Sequence, residues 1–449
     1  MPGLTRRMAE FAAGLSYESI PPQAAATAKL GITDCTGAMF AGRGEPVSKL
    51  MMELAQPAQA GEARVLYDRG RARAMDAALV NAAASHCLEY DDATLFHVSA
   101  VVVPTVLAEG EACGASGRDL IAAYVAGYET WAELMSRDQD KHHDKGWHPT
   151  GVFGTLAAAA AAIRLNRLDG ERACMALSLA ASMAAGLVAN FGSMAKPIHA
   201  GRAAQNGILA ARLARRGATA SPDALEHPRG LLSAISFKGR VRLDEDIAAG
   251  RDWHILKHGL SIRRYPMCYS TNRTIDATLG LVERHRFAPE DVSDVEVTMG
   301  RAQSLPLRHH RPQTSLEAKF SAEFAVACPI VARRVTLQEL DEAFVRKPDV
   351  QDLFPKVRVT TVEGIDPDYP LSLLGPHDRV KVTLRNGNVL DSGPLRYAKG
   401  HVRNPLSTEE LFAKFADCTR GALSRSGSER LFERLQGLEA QPDIETVFG

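Results

Sequence analysis

Trp147-His148-Pro149-Thr150-Gly151 and Gly192-Ser193-Met194-Ala195-Lys196-Pro197-Ile198-His199-Ala200-Gly201-Arg202-Ala203-Ala204 bracket the stretch that decides the fold. Between them the chain is mostly Ala, Leu, Ser, Gly and Met, the composition of small, closely packed core helices. Pro197 suits the first turn of a helix, where its missing N–H has no partner to lose. That helix reads on through Arg215 and Arg216 to Gly217, a C′ stop. Lys196, His199 and Arg202 then fall three residues apart at its N-terminal end, roughly on one face. Cations there oppose the helix dipole and cost stability until an anion arrives, so the pattern reads as a carboxylate or phosphate pocket.

Working outward, residues up to about 260 read as helix after helix. A short one covers Ala9–Leu15, and a second starts at Pro21-Pro22 and runs to Phe40. Others cover Arg71–Cys87, Gly117–Leu134, Thr150–Leu165, Asp169–Phe191 and Pro197–Arg216. The character changes near Tyr265. Alternating segments appear at Val295–Thr298, Lys356–Thr360 and Arg379–Leu384, the last running into the hairpin turn signal Arg385-Asn386-Gly387-Asn388. Amphipathic stretches at Thr271–Phe287 and Leu316–Val331 lie between them, and the tail is helical again over Thr408–Leu438. The expected architecture is mainly α: a large all-helical domain over 1–263 and a smaller α+β domain over 264–402. C-terminal helices over 403–449 should pack back on the first domain.

Lys and Arg total 53 against 53 for Asp and Glu, so no global charge points to nucleic acid or an anionic membrane, and anion selectivity has to be local. The cysteines (35, 87, 113, 174, 268, 328 and 418) are odd in number, scattered and without a C-x-x-C. That argues against a disulfide framework, a zinc site or an iron–sulfur cluster, and for a reducing, cytoplasmic compartment. The apolar run Met175–Phe191 approaches membrane-spanning length, but its Ser and Asn content suits a buried core helix. His142-His143-Asp144 invites a metal reading. Adjacent histidines point apart on regular structure and no third ligand follows at helical spacing, so no metal is expected there.

Several motifs occur in a specific order. They are Asp34-Cys35-Thr36-Gly37, Glu89-Tyr90-Asp91-Asp92, His97, Val103-Pro104, Gly146–Gly151, Met194–Ala204, Tyr265-Pro266-Met267-Cys268, Ile275-Asp276-Ala277, Glu317–Ser321 and Lys399-Gly400. Together they resemble the MmgE/PrpD family, which includes 2-methylcitrate dehydratase, cis-aconitate decarboxylase and iminodisuccinate epimerase. The resemblance spans essentially the whole chain. It implies a helical domain with a smaller lid domain, a cleft between them, a homodimer, and cofactor-free chemistry on small di- or tricarboxylates. Carried over by motif, the catalytic candidates are Glu89, His97, His148 and Lys196. Three departures stand out. Glu89 replaces the family's usual Asp, the Asp92–His97 spacing is shorter, and Asn272, four residues after Cys268, stands where the family usually has His. Asn cannot exchange protons near neutral pH.

The family's reactions share one problem, a negative charge developing beside a carboxylate. A fixed cation lowers that barrier and a group titrating near neutrality moves the proton. His148, just ahead of a helix start, is the expected proton carrier, and His97 the second acid/base group. Lys196 is expected to clamp the reacting carboxylate or, alternatively, to act as a base of lowered pKa. Glu89, Asp91 and Asp92 would orient the histidines. Asp92, Thr94, His199, Arg202, Arg264, Tyr265 and Asn272 are the substrate-binding candidates, with Arg263 and Arg273 as further carboxylate-binding arginines. The leading expectation is dehydration of a 2-methylcitrate-like hydroxy acid. Alternatives are an epimerase of an amino- or imino-dicarboxylate, a cis-aconitate-type decarboxylase and a non-catalytic binder.

Overall fold

The computed structural model describes residues 2–449 apart from 59, 69, 139, 141, 237–239 and 367–373. It is mainly α-helical with a smaller α+β part, as the periodicity predicts. The chain divides into two compact units, Met1–Leu260 together with Glu410–Gly449, and Ser261–Glu409.

The first unit is built around its alanines. The helices α1 (Leu4–Gly14), α2 (Pro22–Ala41), α3 (Pro46–Ala55), α4 (Ala74–His86), α5 (Val98–Cys113), α6 (Gly117–Ser136), α7 (Pro149–Leu165), α8 (Gly170–Met183) and α9 (Ala195–Arg215) form its body. Ala157 to Ala162 of α7 are all fully buried, so this helix is apolar on every face and is surrounded, by α5, α6, α8 and α9. Methyl-sized side chains let the axes come close. The backbone of Gly207 on α9 lies directly against Ala158 and Ala159 of α7. Helix starts are set locally. Ser116 and Asp119 form a reciprocal capping box at α6, and Asp169 accepts the Arg172 N–H at 2.8 Å to start α8.

Helix α5 escapes a periodicity reading because Val98–Val106 is apolar all round and β-branched, which reads equally as a buried strand. The predicted helix over Asp169–Phe191 stops at Met183. Residues 184–191 run extended and then as one 3-10 turn, with Leu187 in a bridge to Trp147. The reason lies across from it. A Cβ on Gly151 would fall 2.1 Å from the Ala185 carbonyl, so this segment is pressed onto the start of α7. The apolar run is therefore neither a core helix nor a span. Among the described residues no helix is long and apolar enough to cross a membrane.

In the second unit a four-stranded sheet has the order Val357–Val362, Val292–Gly300, Arg379–Leu384, Val389–Asp391. The first pair is parallel and the others antiparallel, and Gly387 (φ 86°) makes the last hairpin turn. Helices Asn272–His285 and Ala322–Ala332 pack together and on the sheet over a core that includes Val295, Val297, Phe324 and Val380. The helix expected over Leu316–Val331 is broken after Lys319. Ser321 accepts the Phe324 N–H at 3.1 Å and starts a new one. The tail likewise divides, into Thr408–Thr419 and Arg425–Gln436, with Gly421 (φ 76°) and the Ser424 cap between them. The second of these packs on α2.

A Cβ at Gly207 would lie 2.3 Å from the Ala158 Cβ and 2.5 Å from the Ala159 nitrogen. Gly207→Ala should therefore destabilise by ~1–3 kcal/mol through overpacking. A Cβ on Gly280 meets nothing within 4 Å, and Gly280→Ala should stabilise by about 0.5–1 kcal/mol. Chemical-denaturation midpoints of the two variants check both signs.

Candidate active site

Three chain segments supply the polar groups, namely residues 86–97 linking α4 to α5, the start of α7, and the start of α9. The first is a loop of unusual backbone. Glu89 (φ 56°), Leu95 (φ 47°) and Phe96 (φ 71°) all occupy the left-handed region that L-residues avoid. His97 ends this loop as the N-terminal flanking residue of α5, and His148 holds the same position on α7.

Asp91 is the hub of the loop. Fully buried, its Oδ2 lies 3.0 Å from His86 Nδ1 and 2.9 Å from His97 Nδ1. His97 Nδ1 is also 3.1 Å from the Asp92 carbonyl oxygen. Both neighbours of that nitrogen accept, so it carries the proton and Nε2 is the basic nitrogen. The His86 and His97 rings lie 4.3 Å apart, and His86 stacks at 6.2 Å on His148. His86 was not singled out from the sequence. Its only signal was its place three residues ahead of Glu89, at the end of a helix.

His148 and His199 share a hydrogen bond between their Nδ1 atoms at 3.1 Å, one ring donating and the other accepting. The backbone beside them is Gly186 (φ 148°), whose Cα leaves room for both rings, and its carbonyl accepts the His148 N–H at 3.0 Å. Phe191 packs edge-on to His148 at 4.8 Å. The Nε2 atoms of His86 and His148 are buried and have no partner among the described residues. A buried donor or acceptor left that way is one that an incoming ligand can satisfy.

Lys196, in the first turn of α9, is paired with Glu89 and sits 5.4 Å over the Phe191 ring. The sequence expectation of an unpartnered cation at this helix end is thus corrected. The chain supplies its own carboxylate, because the left-handed turn at Glu89 brings that side chain to α9. Arg202 is exposed and bonds the Gln205 side chain. No contact among the described residues joins it to the imidazoles. Asp92 and Thr94 are buried in the loop, Asp92 Oδ1 accepting the Ser99 N–H at 3.2 Å.

Burial dominates the electrostatics. It pushes His97 down to about 3, with His86 and Lys196 adding to it against the pull of Asp91. Burial, then His86, Lys196, His97 and His199, holds His148 well below the usual imidazole range, and His199 is lowered for the same first two reasons. Burial works to raise Asp91, but the N–H donors of His86 and His97 outweigh it and keep this carboxylate ionised. Asp92, raised by burial and by Asp91, holds its proton well above the ordinary carboxylate range. At neutral pH His97, His148 and His199 are uncharged imidazoles, and Asp91 is a buried anion.

His86, Asp91 and His97 also present three ligand atoms within 4.8 Å of one another, a two-histidine, one-carboxylate set that could hold a metal ion. Here those atoms are committed to one another by hydrogen bonds.

The remaining candidates belong to the second unit. Tyr265 is buried and donates to Asp276 Oδ1 at 2.5 Å, and the Arg264 guanidinium lies 5.7 Å over the Tyr265 ring. Asn272 begins its helix fully buried, with Nδ2 on the Cys268 carbonyl at 3.3 Å and Oδ1 without a partner among the described residues. Arg263 is buried as well. Arg273 is committed to the fold. It donates to the Gly375 carbonyl at 2.6 Å and pairs with Asp366 and Asp378 at 3.5 and 3.9 Å.

A helical unit whose helix starts gather histidines and a lysine, followed by an α+β unit, is the build that the motifs imply. Family models match both parts of the chain: the MmgE/PrpD N-terminal domain matches residues 6–244 and the MmgE/PrpD C-terminal domain matches 265–438. The chain belongs to the MmgE/PrpD family. Among characterised relatives, cis-aconitate decarboxylase of Mus musculus is 27% identical over 99% of this chain and 92% of the relative. That of Homo sapiens is 28% identical over 83% of this chain and 78% of its own. Cis-aconitate decarboxylase of Aspergillus terreus is 25% identical over 98% and 94%.

Neutral burial of histidines has a thermodynamic consequence. His97 at about 3, His258 and His401 at about 4, and His148 well below its usual value all lie lower than in the unfolded chain, near ~6.5. Their contribution to stability is complete above that value and is lost as pH falls toward the folded-state values. Each should cost ~1.4 kcal/mol per pH unit in that window. Urea midpoints measured from pH 7.5 to 4.5 should fall steeply below pH ~6.5, and a flat profile would contradict neutral burial.

Proposed function

We propose that this protein is a lyase acting on a small di- or tricarboxylate by proton transfer beside a carboxylate, without a cofactor. In this reading His97 and His148 carry protons and Lys196, held by Glu89, faces the reacting carboxylate. His199 and Asp91 fix the two imidazoles. The observation that carries the reading is the buried Nε2 of His148, unpartnered among the described residues, beside a second imidazole whose tautomer is set by Asp91.

The relatives support carbon–carbon cleavage of a cis-aconitate-like substrate ahead of the dehydration that the motifs alone put first. In such a step the bond to a carboxylate β to an alkene breaks and CO₂ leaves. The electron pair shifts through the alkene, and an imidazolium delivers a proton to the far carbon. Lys196 stabilises the charge that develops on the carboxylate remaining beside that carbon. The rings of the free protein are uncharged, so the proton has to be acquired. Two or three substrate charges arriving beside His97, His148 and His199 raise all three pKa values and supply the reason for uptake. Dehydration of a 2-methylcitrate-like acid is the second reading, favoured by the presence of two separately anchored imidazoles, one for the base and one for the leaving hydroxyl.

Proton NMR in D₂O with cis-aconitate, 2-methylcitrate, citrate and iminodisuccinate, each alone, separates the readings. Loss of CO₂ with a new methylene signal from cis-aconitate is the expected result. Olefin from a hydroxy acid would move the reaction to dehydration, and deuterium exchange without bond cleavage would make it an epimerase. His148→Gln should lower kcat by ~10²–10⁴-fold while binding of tricarballylate, an inert saturated tricarboxylate, persists. A pure binding protein would turn over none of these acids and would bind tricarballylate with or without the substitution.

Calorimetric titration with tricarballylate in buffers of different ionisation enthalpy should show uptake of about one proton near pH 7.5. The ring pKa rises in the complex, so affinity should weaken as pH increases. Binding with no proton uptake would remove the imidazoles as the acid.

A further inference from the structure

Lys414 belongs to the helix Thr408–Thr419, yet it reaches the middle of the loop that carries the candidate site. It is almost fully buried, and its Nζ donates to the Tyr90 carbonyl oxygen at 2.7 Å. The same ammonium lies 2.5 Å from Asp34 Oδ1 on α2 and 4.4 Å above the Tyr90 ring. Its neighbour Phe415 packs against Gly37, so the helix is docked on α2 by apolar contact next to this charge.

Helix docking by itself does not call for this arrangement. A buried ion pair stabilises little over apolar residues of the same shape, so its presence points to geometry more than to stability. What it fixes is Tyr90, which stands between Glu89, the partner of Lys196, and Asp91, the shared acceptor of His86 and His97. The backbone here is held away from its preferred conformations, with left-handed φ at Glu89, Leu95 and Phe96. Such conformations persist only where surrounding contacts hold them.

We propose that Lys414 is a positioning residue: by gripping the Tyr90 carbonyl it holds the 89–92 segment so that Glu89 meets Lys196 and Asp91 meets both histidines. Its importance for catalysis rests on the reading of His97 and Lys196 given above, but its effect on the loop does not.

The test uses the full chain and two variants, Lys414→Met and Asp34→Asn/Lys414→Met. The first leaves Asp34 buried opposite an apolar chain and is open to unfolding. The second removes both charges while keeping the volume filled, so it carries the test if the first fails to fold. Histidines labelled at Cε1 are read by NMR without substrate, together with kcat, KM and the melting transition. In the folded double variant the His86 and His97 resonances should move while the exposed His285 and His309 stay in place. With a turned-over carboxylate, kcat should fall by about 10-fold or more with KM changed by less than about 3-fold, the split expected when reacting groups are misplaced by a fraction of an ångström. A folded double variant with unmoved resonances and an unchanged rate would overturn the proposal and leave Lys414 as a structural ion pair. If the wild type turns over none of the substrates tried, the resonances still decide the positioning role, and only the functional reading fails.

Discussion

The close approach of α7 and α9 is the constraint on which the rest depends. Gly207 lies against the backbone of Ala158 and Ala159, and no side chain larger than a methyl intervenes. With that register fixed, His148 at the start of one helix and His199 one turn into the other have no choice but to meet, Nδ1 to Nδ1 at 3.1 Å. The segment after α8 is pressed onto the start of α7, which is why Gly151 is a glycine, and the φ of 148° at Gly186 suits glycine there. Close packing of this kind leaves the two helix starts little room to shift, which a hydrogen bond between them requires.

Around that fixed pair the chain has gathered groups that are costly to bury. Asp91 has no solvent contact, and two histidines give it N–H donors; His97 in turn is kept uncharged by the same burial. Lys196 and Glu89 balance each other. Among the described residues the Nε2 atoms of His86 and His148 are left without a hydrogen-bond partner. The lowered imidazoles there have little affinity for protons until an anion arrives beside them. That couples ligand binding to protonation through electrostatics alone.

Much of this was legible in the sequence, and for identifiable reasons. Helix periodicity, capping residues and the Asn-Gly hairpin act over a few residues, so the mainly α character, the strands of the second unit and the start of α7 could be read directly. The candidate cluster of His97, His148, Lys196 and Glu89 was legible through motif order. Helix α5 was not, because a run of valines buried on all sides has no periodicity to read. The end of α8 was not either, since what stops it is the Gly151–Ala185 contact and not a breaker in its own sequence.

The sequence by itself determined the chemistry available: which groups carry protons, which carry charge, that Asn272 cannot exchange one, and that the interior is made of residues small enough for close helices. The tertiary structure alone decided the partners. Lys196 is neutralised by Glu89 because a left-handed turn more than a hundred residues away aims a carboxylate at α9. Arg273 is committed to Asp366 and Asp378 instead of standing free for a substrate. His86 joins the cluster because Asp91 can accept two N–H donors at once. Such pairings depend on distances across the fold, set by packing, and spacing along the chain carries no record of them.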